Sequence, residues 1–181
     1  MQTLFQFLIL SLLFCPASVW SESAANRVPE LIQNADHSAE KQVIAKWQGV
    51  WLVKANIKQP KPKVDTYEES FDWFLDGQFL RSETSRKTEG DRSSSMMWFD
   101  AMTKNYRFVI YDSSGMAIEL PPPKWDADKQ TMTWESSLFA PVSYEGYNTF
   151  INPDTIEWKS VLKDWTGKVY LDMEGISIRK K

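Results

Sequence analysis

The sequence is nearly without cysteine and histidine, and those two shortages exclude more chemistry than its abundant residues establish. Cys15 is the only thiol and His37 the only imidazole among 181 residues. Cys15 lies in an N-terminal apolar stretch, so removal of that stretch would leave no disulfide, no cysteine nucleophile and no thiolate metal site. Ser-His and Cys-His systems need an imidazole held beside a nucleophile, and His37 falls on or beside a helix, outside the strand pattern described below. A surface or helix-capping role is expected for it. Positive charge is also in short supply. With 21 Lys and Arg against 24 Asp and Glu, the net charge of -3 offers no field for a phosphate backbone, and no nucleic-acid partner is expected. Long hydrophobic runs are missing too, since the apolar run over 4–14 is shorter than the roughly 20 residues a bilayer span requires.

That run has the length of a secretory signal, and Val19-Trp20-Ser21 fits a small-x-small cleavage site, although no Lys or Arg precedes it. The expected division is a signal peptide over 1–21, a leader and capping helix over 22–46, and one β-barrel domain over 47–181. This predicts a secreted or periplasmic protein with no stable membrane span after cleavage. Lipidation of Cys15 is disfavoured, because Phe14 stands where such signals want a small residue. The length suits one domain with a sizeable core.

Helical spacing ends at Trp47. Pro29 suits a first helical turn, and Ile32, Ala35, Ala39, Val43 and Trp47 recur every three or four residues, with Asn34, Asp36, Glu40 and Lys41 on the other face. After Gly49 the period becomes two. Strands are predicted over 51–57, 66–75, 78–85, 94–99, 106–111, 116–120, 131–139, 147–151, 155–162, 169–173 and 176–179. Turn chemistry separates them, at Asp76-Gly77, Asp112-Ser113-Ser114-Gly115, Asp126-Ala127-Asp128, Asn152-Pro153-Asp154 and Glu174-Gly175 among others. About ten short strands in succession predict an all-β, antiparallel meander closed on itself, because closure removes the exposed edges of an open sheet.

Alternation also names the inner face. Phe71, Trp73 and Leu75 share one side of their strand, as do Tyr106, Phe108 and Ile110, then Met132, Trp134 and Leu138, and then Ile156, Trp158 and Leu162. Aromatics make up 14% of the chain, more than a small filled barrel needs. The surplus suggests a cavity lined by some of Trp73, Phe108, Trp134 and Trp158, with a filled core as the equal alternative.

Gly49-Val50-Trp51 at the start of the first strand resembles the Gly-x-Trp signature of lipocalins and other calycins. In that resemblance Arg179 matches the basic residue that packs across the tryptophan, making Gly49, Trp51 and Arg179 structural anchors. A longer match follows. The stretches Asp76-Gly77-Gln78-Phe79-Leu80-Arg81, Trp98-Phe99-Asp100 with Thr103-Lys104-Asn105-Tyr106, Asp112-Ser113-Ser114-Gly115, and Trp125 to Trp134 resemble the DUF1579 family of calycin-like domains over about 47–181. One departure is Pro121-Pro122-Pro123-Lys124-Trp125, where that family usually has a glycine before the tryptophan. Three prolines cannot donate to a ladder and are expected in an extended edge or loop. The resemblance implies a lipocalin-like barrel and no catalytic residue. Related calycins called nitrobindins hold haem through a histidine on the barrel, a position His37 does not occupy.

Three functional readings remain. The first is a carrier or sensor for a small apolar or amphipathic molecule. A second is an exported enzyme acting through carboxylates on a sugar-like substrate, using Glu68, Glu69 and Asp72 or Asp126 and Asp128, with Trp98 or Trp125 as a stacking platform. Against it, Glu68 and Asp72 share a face expected to meet solvent, and the Asp126 stretch reads as a hairpin turn without the features of a calcium loop. The third is an interaction module with a filled barrel. Lys58-Gln59-Pro60-Lys61-Pro62-Lys63 reads as an extended rim loop that could guide an anionic headgroup or a fatty carboxylate to the mouth. The chain is expected to need no cofactor, no metal and no catalytic residue.

Overall fold

The computed structural model describes residues 37–87, 91–136 and 142–181, and the predicted signal, Cys15, Ile32, Ala35, the turn at Gly90 and Leu138 lie outside them. The one helix among these residues, α1, spans Ser38–Ala45. No helix here is long and apolar enough to cross a membrane. Its buried face differs from the expected stripe. Ile44 is fully buried and Trp47 nearly so, whereas Ala39 is exposed, because the short helix turns Val43, Ile44 and Trp47 together onto the sheet.

Eleven antiparallel strands follow: β1 Gly49–Gln59, β2 Lys63–Phe74, β3 Phe79–Thr84, β4 Ser93–Asp100, β5 Asn105–Asp112 and β6 Ala117–Glu119. The second half holds β7 Lys124–Asp126, β8 Thr131–Glu135, β9 Val142–Asn152, β10 Thr155–Asp164 and β11 Val169–Arg179. Apart from β6 and β7, each strand pairs with its sequence neighbours, and β1 pairs with β11, giving the order β6-β5-β4-β3-β2-β1-β11-β10-β9-β8-β7. The sheet curls far enough that Phe108 on β5 and Trp134 on β8 meet at 5.7 Å, although several strands separate them in the sheet order.

Closure, however, is incomplete. Among the described residues no ladder joins β6 to β7, so the predicted continuous ring is a half-barrel with one seam. The connection across that seam is Leu120-Pro121-Pro122-Pro123. A proline has no N–H to give a neighbour, and three in succession deny the two edges a shared ladder. Leu120 and Pro123 are buried there, so the segment seals by packing what it cannot seal by hydrogen bonds.

Two further differences have local causes. The predicted turn at Gly175 is the interior of β11, which runs unbroken across it. A side chain there would meet the Lys54 carbonyl at 2.4 Å and the Trp158 ring at 2.5 Å, so glycine is required by a flat indole lying against the strand. Leu75, expected on the inner face, is 59% exposed and sits in the β2–β3 turn with φ of 48°. The strand ends at Phe74, one residue before the alternation would have carried Leu75 inward.

Candidate functional site

Register sets two adjoining patches side by side in the barrel interior. Where β1 begins, α1 covers the interior. Trp51 is 1% exposed and donates its indole N–H to the Trp47 carbonyl at 2.6 Å, while Trp47 meets Phe150 at 4.7 Å. The Arg179 guanidinium lies 4.2 Å from the Trp51 ring centre and donates to the carbonyls of Lys46 (2.8 Å) and Gln48. Gly49 has φ of 113°, and a Cβ there would stand 3.0 Å from that guanidinium. The three predicted anchors therefore meet at one place, where a cation is stacked on an indole and divides its donors between the carbonyls that follow the helix and the Pro153 carbonyl.

His37 also belongs to this patch. Its ring packs on Phe99 at 5.0 Å and its Nδ1 is 3.9 Å from Glu40, and its carbonyl accepts the Lys41 N–H. Its side chain makes no cap hydrogen bond, so the capping contribution is the backbone's. Trp125, expected as an exposed platform, instead faces inward against Trp47 at 6.4 Å and Phe150 at 6.3 Å. The short strand β7, hidden beside a turn motif, pairs Trp125 with buried Met132 and so points it inward.

Next to this cluster, on β2 to β4, the interior is polar. On β2, Asp65, Tyr67, Glu69, Phe71 and Trp73 share a parity, and the ladders set Glu69 between Trp51 on β1 and Thr84 on β3. Ser82 is 1% exposed and donates to Glu69 Oε1 at 2.8 Å. Ser82 and Ser95 on β4 are 2.7 Å apart through their hydroxyls. Lys87 donates to Ser93 Oγ at 3.1 Å and lies 5.1 Å from the Tyr67 ring centre. Burial pushes the Glu69 carboxyl above its ordinary range, against the Ser82 hydrogen bond and the Lys87 charge that pull it down. Burial likewise raises the Tyr67 phenol, aided by Glu69 and Asp65. On the facing wall, Tyr144 and Ser160 are 2.5 Å apart, and Trp158 donates to Ser177 at 3.1 Å.

The four predicted lining residues all face inward. Trp134 and Trp158 are buried at 4% and 9% exposure, whereas Trp73 and Phe108 are half-buried. The ladders place Trp73 opposite Leu80, Leu80 opposite Met97, and Met97 opposite Phe108. Phe108 then touches Trp134 across the interior. Trp73 gives its N–H to Gln48 at 3.2 Å, whereas the buried Trp134 N–H has no hydrogen-bond partner. In the sequence Glu69 stands among three carboxylates with nothing to single it out but its spacing. Its parity with Phe71 and Trp73 was the available signal.

The other candidate acids lie elsewhere. Glu68 pairs with Lys180 at 2.6 Å on the outer face, and Asp72 is exposed beside it. Asp126 accepts the N–H groups of Asp128 and Lys129 within its own turn, at 3.1 and 3.0 Å. Trp98 packs on Phe79 at 5.7 Å. Outside the barrel, a groove of about 580 Å³ runs over β8 to β11 past Tyr147 and Lys159, where Glu145 and Lys163 satisfy each other at 3.1 Å. A smaller concavity of about 230 Å³ adjoins Arg179 and Phe150. Among the described residues, no three His, Cys, Asp or Glu side chains gather to hold a metal ion.

A family model described as "Protein of unknown function (DUF1579)" matches residues 36–176. Among solved structures, the chain is similar to the crystal structure of Rv2717c from M. tuberculosis, with a TM-score of 0.59 and 12% identity over 77% of this chain and 96% of that one. It is also similar to the S-type phycobiliprotein lyase CPES from Guillardia theta, with a TM-score of 0.48 and 11% identity over 83% and 96%. A de novo designed fluorescence-activating β-barrel gives a TM-score of 0.41 and 14% identity over 75% and 96%. Comparison with curated proteins finds no match.

Proposed function

The chain belongs to the DUF1579 family, and on that footing we propose that it is a carrier or sensor taking up a small amphipathic molecule inside its half-barrel. One observation carries the reading. Tyr67, Trp73, Phe108, Ile110, Tyr144 and Met173 all face inward by register, yet each remains half-buried. Side chains that fill a solid barrel pack to the density of an organic crystal and lose essentially all exposure, as Leu80, Met97 and Met132 do here. The six partly exposed residues mark interior surface that solvent reaches and an apolar body could cover.

The polar groups support the same reading. A barrel that served only as a scaffold would gain nothing by burying Ser82, Ser95, Ser160 and a carboxylate, because each must recover in hydrogen bonds what it loses in hydration. A few fixed polar groups among aromatics are what orient a small ligand. The apolar run over 4–14 supports export of such a carrier. Intact mass tests that point: a mature N-terminus at or near Glu22 is expected, and retained Met1 or a lipid on Cys15 would overturn it.

Binding is tested by titrating delipidated protein with N-phenyl-1-naphthylamine, which brightens in apolar surroundings. Micromolar-range affinity is expected, roughly -8 kcal/mol. Trp134→Glu should abolish it, since an unpaired carboxylate placed inside is costly to desolvate. A folded wild-type protein that takes up no probe would defeat the carrier reading.

A further inference from the structure

Resting on the carrier reading, we infer that the ligand has an apolar body ending in an O–H or N–H donor, an alcohol or amine, which binds the second oxygen of Glu69, and that carboxylate-headed ligands such as fatty acids are disfavoured. The argument starts from proton directions. Ser82 has one hydroxyl proton, and its 2.8 Å contact with Glu69 Oε1 spends it on the carboxylate. The 2.7 Å contact between Ser82 and Ser95 must then run the other way, from Ser95 to Ser82. The donors of this network are therefore aligned toward Glu69.

Glu69 itself is not sealed off. Ser82 and Ser95 behind it are 1% and 5% exposed, while Glu69 is half-buried, so its carboxylate is the part of the network that the interior space reaches. Oε2 receives no hydrogen bond from any described residue. The charged and titratable groups facing it are Tyr67 and Asp65 on its own strand and Lys87 beyond β3. Its ladder neighbours Trp51 on β1 and Thr84 on β3 bring no charge, nor does Ser95 on β4. Asp65 is 1% exposed with Lys63 at 3.3 Å, and Lys87 is engaged by Ser93 and the Tyr67 ring. An entering carboxylate would face the Glu69 carboxylate directly, like charge against like. An entering donor completes the coordination that Ser82 begins, as a charge-assisted bond in a site with little competing water.

The test uses three probes with one ring system and different heads: 2-naphthylmethanol, 2-naphthylmethylamine and 2-naphthoate, titrated calorimetrically into delipidated protein. The alcohol, the amine or both should bind at least about tenfold more tightly than the carboxylate, the factor expected of one hydrogen bond to a charged group. Binding of the alcohol, which does not titrate, should tighten as pH rises and Glu69 loses its proton. In Glu69→Gln both the head-group preference and this pH dependence should disappear while apolar-dye binding persists. Ser82→Ala, which keeps the charge but removes the chain behind it, should retain the preference. Equal or tighter binding of 2-naphthoate by wild type, or an unchanged preference in Glu69→Gln, overturns the inference and leaves the carrier reading standing. Failure of all three probes and of the dye overturns both.

Discussion

Two adjoining patches of the barrel interior, one under α1 where β1 meets β11 and one on β2 to β4, do opposite things with polar groups. Under α1, polar atoms are consumed by the backbone: Arg179 holds the carbonyls of Lys46 and Gln48, and Trp51 holds that of Trp47. On β2 to β4 they are linked to one another, Ser95 to Ser82 to Glu69, and the network stops at an oxygen without a partner among the described residues. A network that ends on its own backbone fixes the fold. One that ends in open interior costs stability and is retained for something not in the chain. Rigidity and binding are thus assigned to different strands of one sheet by alternation and register.

Truncating the indole in the helix-covered patch should have the largest effect. Trp51→Ala removes a 1% exposed ring and the platform under Arg179, and should lower unfolding free energy by about 4 kcal/mol in urea denaturation. Gly175→Ala should cost about 2 to 3 kcal/mol, because the new methyl would meet both the Lys54 carbonyl and the Trp158 ring. Wild-type stability would show that the indole can slide away at no expense. Arg179→Ala should cost roughly 1 to 2 kcal/mol, and its combination with Trp51→Ala should be less than additive. Strict additivity would separate the two residues and weaken the contrast drawn between the patches.

The smallest expected effect has the opposite sign and belongs to the polar patch on β2 to β4. Because burial raises the Glu69 carboxyl, the native state keeps its proton to higher pH than the unfolded chain does. Its contribution is then full below the ordinary carboxylate range and is lost as pH rises through the raised value. Glu69→Gln should therefore be more stable than wild type by up to about 1 kcal/mol at pH 8, with the gap closing toward pH 4. The turn aspartates Asp112, Asp126 and Asp164 are held low, led by hydrogen bonds from Ser114, Lys129 and Thr166, so their stabilisation is lost as pH falls. They are common to both proteins and cancel in the difference. A variant less stable than wild type at pH 8 would mean that Glu69 belongs to the scaffold.

Most of this arrangement was legible in the chain because alternation is a local property. Tyr106, Phe108 and Ile110 fall on the inner face as their spacing requires, and so do Met132 with Trp134. Glu69 was equally legible from its parity with Phe71 and Trp73, although the neighbouring Glu68 and Asp72 on the opposite face made the group read as one acidic cluster. The seam was not legible. Strands β6 and β7 are three residues each, too short for a period to show, and whether two edges pair depends on a curvature that no short segment encodes. Gly175 read as a turn because its reason, the Trp158 ring, lies 17 positions earlier in the chain.

The most direct test of the central claim is a ¹H–¹⁵N titration of the tryptophan indole N–H signals with N-phenyl-1-naphthylamine. Trp134, whose buried N–H has no partner, and Trp158 should shift in a saturable way, while Trp51, locked to the Trp47 carbonyl, and the 83% exposed Trp165 stay in place. Shifts confined to Trp165, or saturable binding that leaves Trp134 and Trp158 unmoved, would place the ligand outside the barrel and contradict the account.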